Sequence, residues 1–390
     1  MDVYFDNAAT TKISETSLKA MLPIYTEIWG NPSSPHHIGI EAAKKLEETR
    51  KSVAANIGAE PNEIYFTSGG SEADNQALRS AALNGARLGK KHIISTKFEH
   101  HAVLHALRKL EREGFEVTLL DVHENGIVTV EDVEKAIRPD TCLVTIMYAN
   151  NEIGTIQPIA EIGALCREKK IPFHTDAVQA VGHLPIDVKA QNIDMLSLSA
   201  HKFHGPKGVG ALYVRKGIIL NTLIEGGAQE RGKRAGTENL PGIVGMAAAL
   251  QEACDHMEEN AKKVSALRDK LIDGVLQIPE TILNGDREKR LPGNVNVAIK
   301  GIEGESLLMY LDQEGIAASS GSACTSGSLA PSHVLLSIGL SHEVAHGSLR
   351  MTLSENNTEE EVDYLLEKLP PVVERLRNMS PVWKKMKEGK

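Results

Sequence analysis

Residues 64–83, IYFTSGGSEADNQALRSAAL, run from a β-rich apolar stretch through a turn of small residues into a helical pattern. The same alternation recurs to about residue 215: HIIST (92–96) before HAVLHALRKLEREG (101–114), CLVTIMY (142–148) before AEIGALCREKK (160–170), then FHTD (173–176) and MLSLS (195–199). Strands alternating with helices are the pattern of βαβ units and a parallel sheet. Val103, Leu104, Leu107 and Leu110 repeat near 3.6 residues, whereas LVTIMY is apolar throughout, as expected of a strand buried on both faces. The expectation is a large α/β domain over residues 14–255 with a mainly parallel sheet.

After Gln251 the pattern changes. A long charged helical stretch leads into NVNVAI (294–299), ESLLMYLDQEG (305–315), SLRMTL (348–353) and the amphipathic EEEVDYLLEKLPPVVERL (359–376). These predict a smaller α+β domain made of residues 256–390 with residues 1–13.

Composition narrows the function classes. The chain's 390 residues, 41% of them hydrophobic, can fill two cores. Its 43 basic and 52 acidic residues are interspersed, so no nucleic-acid surface is expected. No run approaches the roughly 18 apolar residues of a membrane span, and MDVYFDNAATTK lacks a basic segment followed by an apolar run, so no membrane is expected and the cytoplasm is the expected location. The four cysteines form no CxxC pair, against a disulfide framework or structural zinc. Cys142 and Cys166 sit in strand and helix patterns and read as small buried hydrophobes, as does Cys254.

Three segments point to chemistry. Ser68–Ser71 joins a strand to a helix, where backbone N–H groups and the helix dipole suit a phosphate. It lacks the Lys-Ser/Thr ending of a triphosphate-binding loop, and by itself it also fits a plain connection. In HTDAVQAVG (174–182), Asp176 ends a strand, where open α/β sheets bind ligands, although a helix cap is the competing reading. In LSLSAHKFHGPKGVGALYV (196–214), Lys202 follows a strand; a lysine buried or flanked by cations there has a depressed pKa and can form a Schiff base with an aldehyde.

Cys324 differs from the other cysteines, because SSGSACTSGSLAPSH (319–333) gives it serine and glycine neighbours with little to bury. That setting favours a reactive thiol. His101 and His105 are four apart on a helical pattern, but no HExxH or further ligand cluster accompanies them, so a metal is not expected there.

Together SAHKFHGPKGVG (199–210), HTDAVQ (174–179) and NNEIGTIQPI (150–159) resemble the NifS/IscS cysteine desulfurases, within the class V aminotransferase group of pyridoxal 5'-phosphate (PLP) enzymes. FDNAATT, GNPSS, FTSGGSEADN, EHHAVL, AQERGKRAGTEN and SSGSACTSGSLAPSHVL extend the resemblance, in order, from residue 5 to about 340. It implies the fold type I of PLP-dependent transferases.

The resemblance also implies roles. Lys202 would hold PLP covalently, and Asp176 would pair with the pyridine nitrogen and keep the ring electron-withdrawing. Gln179, on the same side as Asp176 if a helix starts there, and Asn150 would lie beside the phenolic oxygen, Asn150 also near substrate. Gly70, Ser71, Ser199 and His201 would hold the phosphate, joined by Thr237 from the other subunit of a homodimer. His100 would stack on the ring and suits acid–base steps. Arg350 would clamp the substrate carboxylate, a task for a planar two-pronged donor.

Cys324 would take sulfur from L-cysteine as a persulfide, leaving L-alanine, and pass it to an acceptor or scaffold protein for iron–sulfur cluster assembly or other sulfur transfer. At most it would donate one ligand to a shared iron–sulfur assembly. A selenocysteine lyase or class V aminotransferase would share Lys202 and Asp176, but transamination needs no nucleophilic thiol. A non-catalytic sulfur-transfer scaffold would have no use for Lys202, Asp176, Gln179 and His100 together. The chain departs from the commoner pattern at Ala228 before QERG, and in SENNT (354–358) after Arg350, where an Arg-aromatic pair is more usual.

Overall fold

The computed structural model describes residues 1–320 and 331–387; Cys324 and its immediate neighbours lie outside them. In chain order the strands are β1 (Val3–Tyr4), β2 (Ile64–Thr67), β3 (His92–Thr96), β4 (Glu116–Leu120), β5 (Thr141–Thr145), β6 (Phe173–Asp176), β7 (Met195–Ser199), β8 (Gly210–Val214), β9 (Thr281–Leu283), β10 (Asn294–Ile299), β11 (Ile316–Ala317) and β12 (Ser348–Thr352).

A seven-stranded sheet has the order β2-β8-β7-β6-β5-β3-β4. Neighbours from β4 to β7 run parallel, and β8 runs against both β7 and β2. The chain therefore returns at the Gly/Pro-rich turn after Lys202 instead of crossing over. Strands β3, β5, β6, β7 and β8 are buried at every position, while β4, at the edge, is partly exposed; this is why the inner runs read as continuous apolar or small residues.

Two further sheets are small: β12-β10-β9, antiparallel, and β1-β11, parallel. Val3 and Phe5 pack in one apolar cluster with residues from Val264 to Leu376, separate from the cluster around the seven-stranded sheet. A smaller cluster joins Phe98, Met147 and Ile153 to Val334, Leu335 and Ile338. Among the described residues, no helix is long and apolar enough to cross a membrane.

The carboxyl ends of β6 and β7 lie side by side, with Asp176 in register with Ser197. Asp176 and, just beyond β7, Lys202 thus emerge at one sheet edge, where ligands of open α/β sheets bind.

Candidate active site

One cavity is lined by Ala8, Ala9, Gly70, Ser71, Asp74, His100, Met147, Asn151, Asp176, Gln179, Ser199, His201, Lys202 and Arg350, among others. Nine of the expected site residues (Gly70, Ser71, His100, Asp176, Gln179, Ser199, His201, Lys202 and Arg350) meet there although they span residues 70 to 350 of the chain.

One end of the cavity is built on the helix Gly70–Arg87. Its cap Gly69 has φ +150°, which residues with a side chain rarely adopt, and a Cβ on Gly70 would stand 2.6 Å from Val178 Cγ2. Gly70 lets the helix start press against the turn after Asp176, and Gly69 supplies the backbone angle with which the helix begins beside Ser199; the N–H groups of such a helix start suit an anion. Glu72 in this first turn accepts from Ser68 N at 2.8 Å and pairs with Arg234.

Asp176 is buried and accepts from Val178 N at 3.0 Å. Burial holds its carboxyl above the ordinary range, against the pull of His100 and Lys202. A carboxylate in this position is restored to its charged form by a buried cation. Beyond Asp176 the chain makes a run of turns, so the condition of a helix starting there is not met. Gln179 still reaches the cavity, its amide donating to Ala8 O at 3.0 Å.

His100 caps the helix His101–Arg112, Nδ1 accepting from Ala102 N at 3.2 Å. That bond leaves the proton on Nε2, and burial, against Asp176 and aided by Lys202, pushes the imidazole below its usual range. Lys202 Nζ donates to Ala8 O and Ala9 O at 2.5 and 2.8 Å. His201, lowered to about 4 by burial and the charges of Lys202 and Lys207, bonds Thr10 Oγ1 at 3.1 Å.

Asn150 requires a correction. Its amide is spent inside its own loop: Nδ2 donates to Phe98 O at 2.9 Å, and Oδ1 accepts from Glu152 N and Ile153 N at 2.8 and 3.0 Å. It is fully buried, and the neighbouring Asn151 lines the cavity instead.

At the far end Arg350 is buried on β12, with Nη2 2.9 Å from Asp6 Oδ1, Nη1 3.3 Å from Asn151 O, and Nε without a hydrogen-bond partner among the described residues. An arginine placed so retains capacity for a carboxylate. Thr237 is exposed and lies apart from these lining residues. Cys142 and Cys166 are buried and Cys254 partly so; burial pushes their thiols up to about 11, 12 and 11, which suits inert cysteines.

Sequence reasoning missed Asp6, Ala8, Ala9, Asp74 and Asn151. Asp74 lies on the buried side of the phosphate helix, its carboxyl raised well above the ordinary range by burial and by Asp176. An acid four residues after Gly70, among buried alanines, was a readable signal.

The donors fit PLP. A lysine amine stands near a buried carboxylate that burial holds above its ordinary range, and a glycine cradle with Ser71, Ser199 and His201 offers an anion site at one end.

The class-V aminotransferase model matches residues 3–365. Proteins named cysteine desulfurase IscS are 56% identical: that of Clostridium botulinum over 100% of this chain and 98% of its own, and that of Methanosarcina thermophila over 97% and 94%. A solved NifS-like protein superposes with a TM-score of 0.91 at 41% identity, covering 96% of this chain and 100% of its own. Another, SspA in complex with cysteine, gives 0.81 at 38%, covering 91% and 100%. Matched along its full length in sequence and in fold, the chain belongs to the class-V aminotransferase family and, within it, to the PLP-dependent NifS/IscS cysteine desulfurases.

Proposed function

We propose that the chain removes sulfur from L-cysteine, giving L-alanine and a persulfide on Cys324. One observation carries the reading: the cavity holding Lys202 and Asp176 also holds Arg350, and the described residues on either side of Cys324 are tied to its rim. Before Cys324, Ser319 and Arg350 exchange backbone hydrogen bonds at 3.0 and 2.7 Å. After it, Ser332 donates to the buried Glu152 and His333 Nε2 lies 2.9 Å from Glu99 O.

PLP, when bound, withdraws electrons from the substrate's Cα and so makes the Cβ–Sγ bond breakable. Lys202 would hold the cofactor, and its amine would serve to take the Cα proton of the substrate. Asp176 would keep a proton on the ring nitrogen, Gln179 and Asn151 would hold the phenolic oxygen, and Gly70, Ser71, Ser199 and His201 would hold the phosphate. His100, neutral with its proton on Nε2, can shuttle a proton to or from sulfur. Arg350 fixes the substrate carboxylate, and the Cys324 thiolate attacks the substrate sulfur.

The protein works as a homodimer in which Thr237 completes the phosphate site of the other subunit. Its exposure supports this, as does the apolar surface of Leu18, Leu22, Tyr25 and Trp29. Residues 14–255 act as the large domain and residues 1–13 with 256–390 as the small one, a division supported by the separate apolar clusters. The persulfide passes to an acceptor or iron–sulfur scaffold protein in the cytoplasm, where thiols stay reduced.

The test is incubation of the purified protein with PLP, L-cysteine and a reductant. Equal amounts of alanine and sulfide, lost in both Lys202→Ala and Cys324→Ala, are expected. Activity that survives Cys324→Ala would replace this reading with a lyase or aminotransferase.

A further inference from the structure

The helix Gly70–Arg87 does more than present its first turn to the cavity. Along one face, Glu72, Gln76 and Ser80 recur every four residues, and all three hold a single distant stretch of chain. Arg234 Nε and Nη2 meet the Glu72 carboxylate at 2.8 and 3.2 Å. Gln76 Nε2 donates to Lys233 O and Asn221 O at 2.8 and 3.1 Å. Ser80 Oγ accepts from Asn221 N at 2.9 Å.

The Glu72–Arg234 contact is well shielded, the two side chains being 8% and 22% exposed, so solvent competes little for it. Glu72 also holds Ser68 N, two residues from Gly70. Thr237 follows Arg234 by three residues, a reach of at most about 10 Å, and Gly236 N is pinned to Gln229 Oε1 at 3.0 Å.

We infer that Glu72 and Arg234 are positioning residues that couple the two cofactor sites of a dimer, by tying each subunit's phosphate-binding helix to the arm that offers Thr237 to its partner. The inference rests on the reading that Thr237 serves the other subunit. A phosphate that fixes one helix start also fixes Glu72, hence Arg234 and Thr237, so the partner's phosphate meets a ligand already in place. Two-fold symmetry makes the effect mutual, and ordering paid at the first site is not paid again at the second.

The test is PLP titration of the cofactor-free full-length dimer, followed by the absorbance of bound cofactor, with dimer mass checked in solution. For the wild type the second PLP should bind about 5-fold more tightly than the first, or better, with a Hill coefficient above 1. Glu72→Gln and Arg234→Gln should both return the coefficient to 1 while moving first-site affinity in opposite directions. The former removes a negative charge beside the phosphate, and the latter leaves that charge unpaired.

Arg234→Lys keeps the charge without the two-pronged contact; it should hold first-site affinity near wild type and still lose coupling. It also serves should Arg234→Gln fail to fold. A wild-type coefficient of 1, or coupling retained in any folded variant, overturns the inference.

Mixed dimers of a Thr237→Ala chain with a Lys202→Ala chain test the underlying reading separately. One site of wild-type affinity per dimer supports service across subunits. Two defective sites refute that reading and the coupling with it, whereas loss of coupling alone would leave it standing.

Discussion

At the sheet end of the cavity, Asp176, Ser199, His201 and Lys202 project from adjoining strand ends, while at the other end Arg350 reaches in from β12 and is already paired with Asp6. The first group rests on a buried parallel sheet, where burial holds the Asp176 carboxyl above its ordinary range. The second group is satisfied in part, so under the proposed function a substrate carboxylate would share the guanidinium with a resident acid. A cation at the sheet end would therefore relieve a buried acid, whereas a carboxylate at the other end enters by exchange. The ends are tied together two residues after Lys202 and five after Arg350, where His204 Nε2 lies 3.1 Å from Glu355 Oε1.

The strongest challenge to this contrast is Lys202→Ala. Activity should fall by about 10³-fold or more, and the cofactor should wash out on gel filtration; a variant that retains PLP would show that the other contacts suffice. Arg350→Gln should leave the cofactor absorbance intact and raise KM for cysteine about 10- to 150-fold, the range for losing a charged hydrogen bond worth about 1.5–3 kcal/mol. A change in PLP affinity instead would merge the two ends into one.

A smaller effect is expected from Glu355→Gln, measured as thermal stability between about pH 3 and 9. Burial opposes a charged His204, but Glu355 and the Lys12 carbonyl outweigh it and raise its pKa. Glu355, despite burial, is held down to about 2 by His204. The histidine's contribution is complete below its ordinary pKa of about 6.5 and fades as pH rises through the raised value; the glutamate's is complete above about 4.5 and fades toward about 2. The variant should thus be less stable by about 1–3 kcal/mol between about pH 4.5 and 6.5, with the gap narrowing on both sides. A gap independent of pH would mean that packing, not charge, joins the ends.

The smallest effect is expected from Asp6→Asn, which removes the charge competing for Arg350. KM for cysteine should fall, by about 2- to 5-fold on the scale of a partly exposed ion pair; a rise would mean that Asp6 aims the arginine instead of occupying it.

Most of the sheet end was legible in sequence because its residues lie at strand ends and in a glycine turn, where local pattern and position in the fold coincide. Asp176 is followed by turns and not by a helix, yet Gln179 reaches the cavity, because Ala177 and Ala180 on either side of it are fixed in the core. Asn150 and Asn151 could not be ranked from sequence: they are chemically identical neighbours, and only the folded loop shows which side chain caps it. The walls from Asp6, Ala8 and Ala9 escaped for a different reason, since they come from across the fold, more than 340 positions away from Arg350. Cys324 was singled out by its serine- and glycine-rich surroundings and lies outside the described residues.

The segment at Ala8 sets an order of events during synthesis. Its carbonyl receives Lys202 and Gln179, while its own N–H is held at 2.8 Å by Thr352 Oγ1, and Asn7 Nδ2 reaches Thr352 O at 2.8 Å. A nascent chain can assemble the seven-stranded sheet well before Thr352 leaves the ribosome, but the wall facing Lys202 is held only afterwards. Capture of the cofactor is thus a late step, and a chain cut before β12 should keep its sheet and lose its PLP.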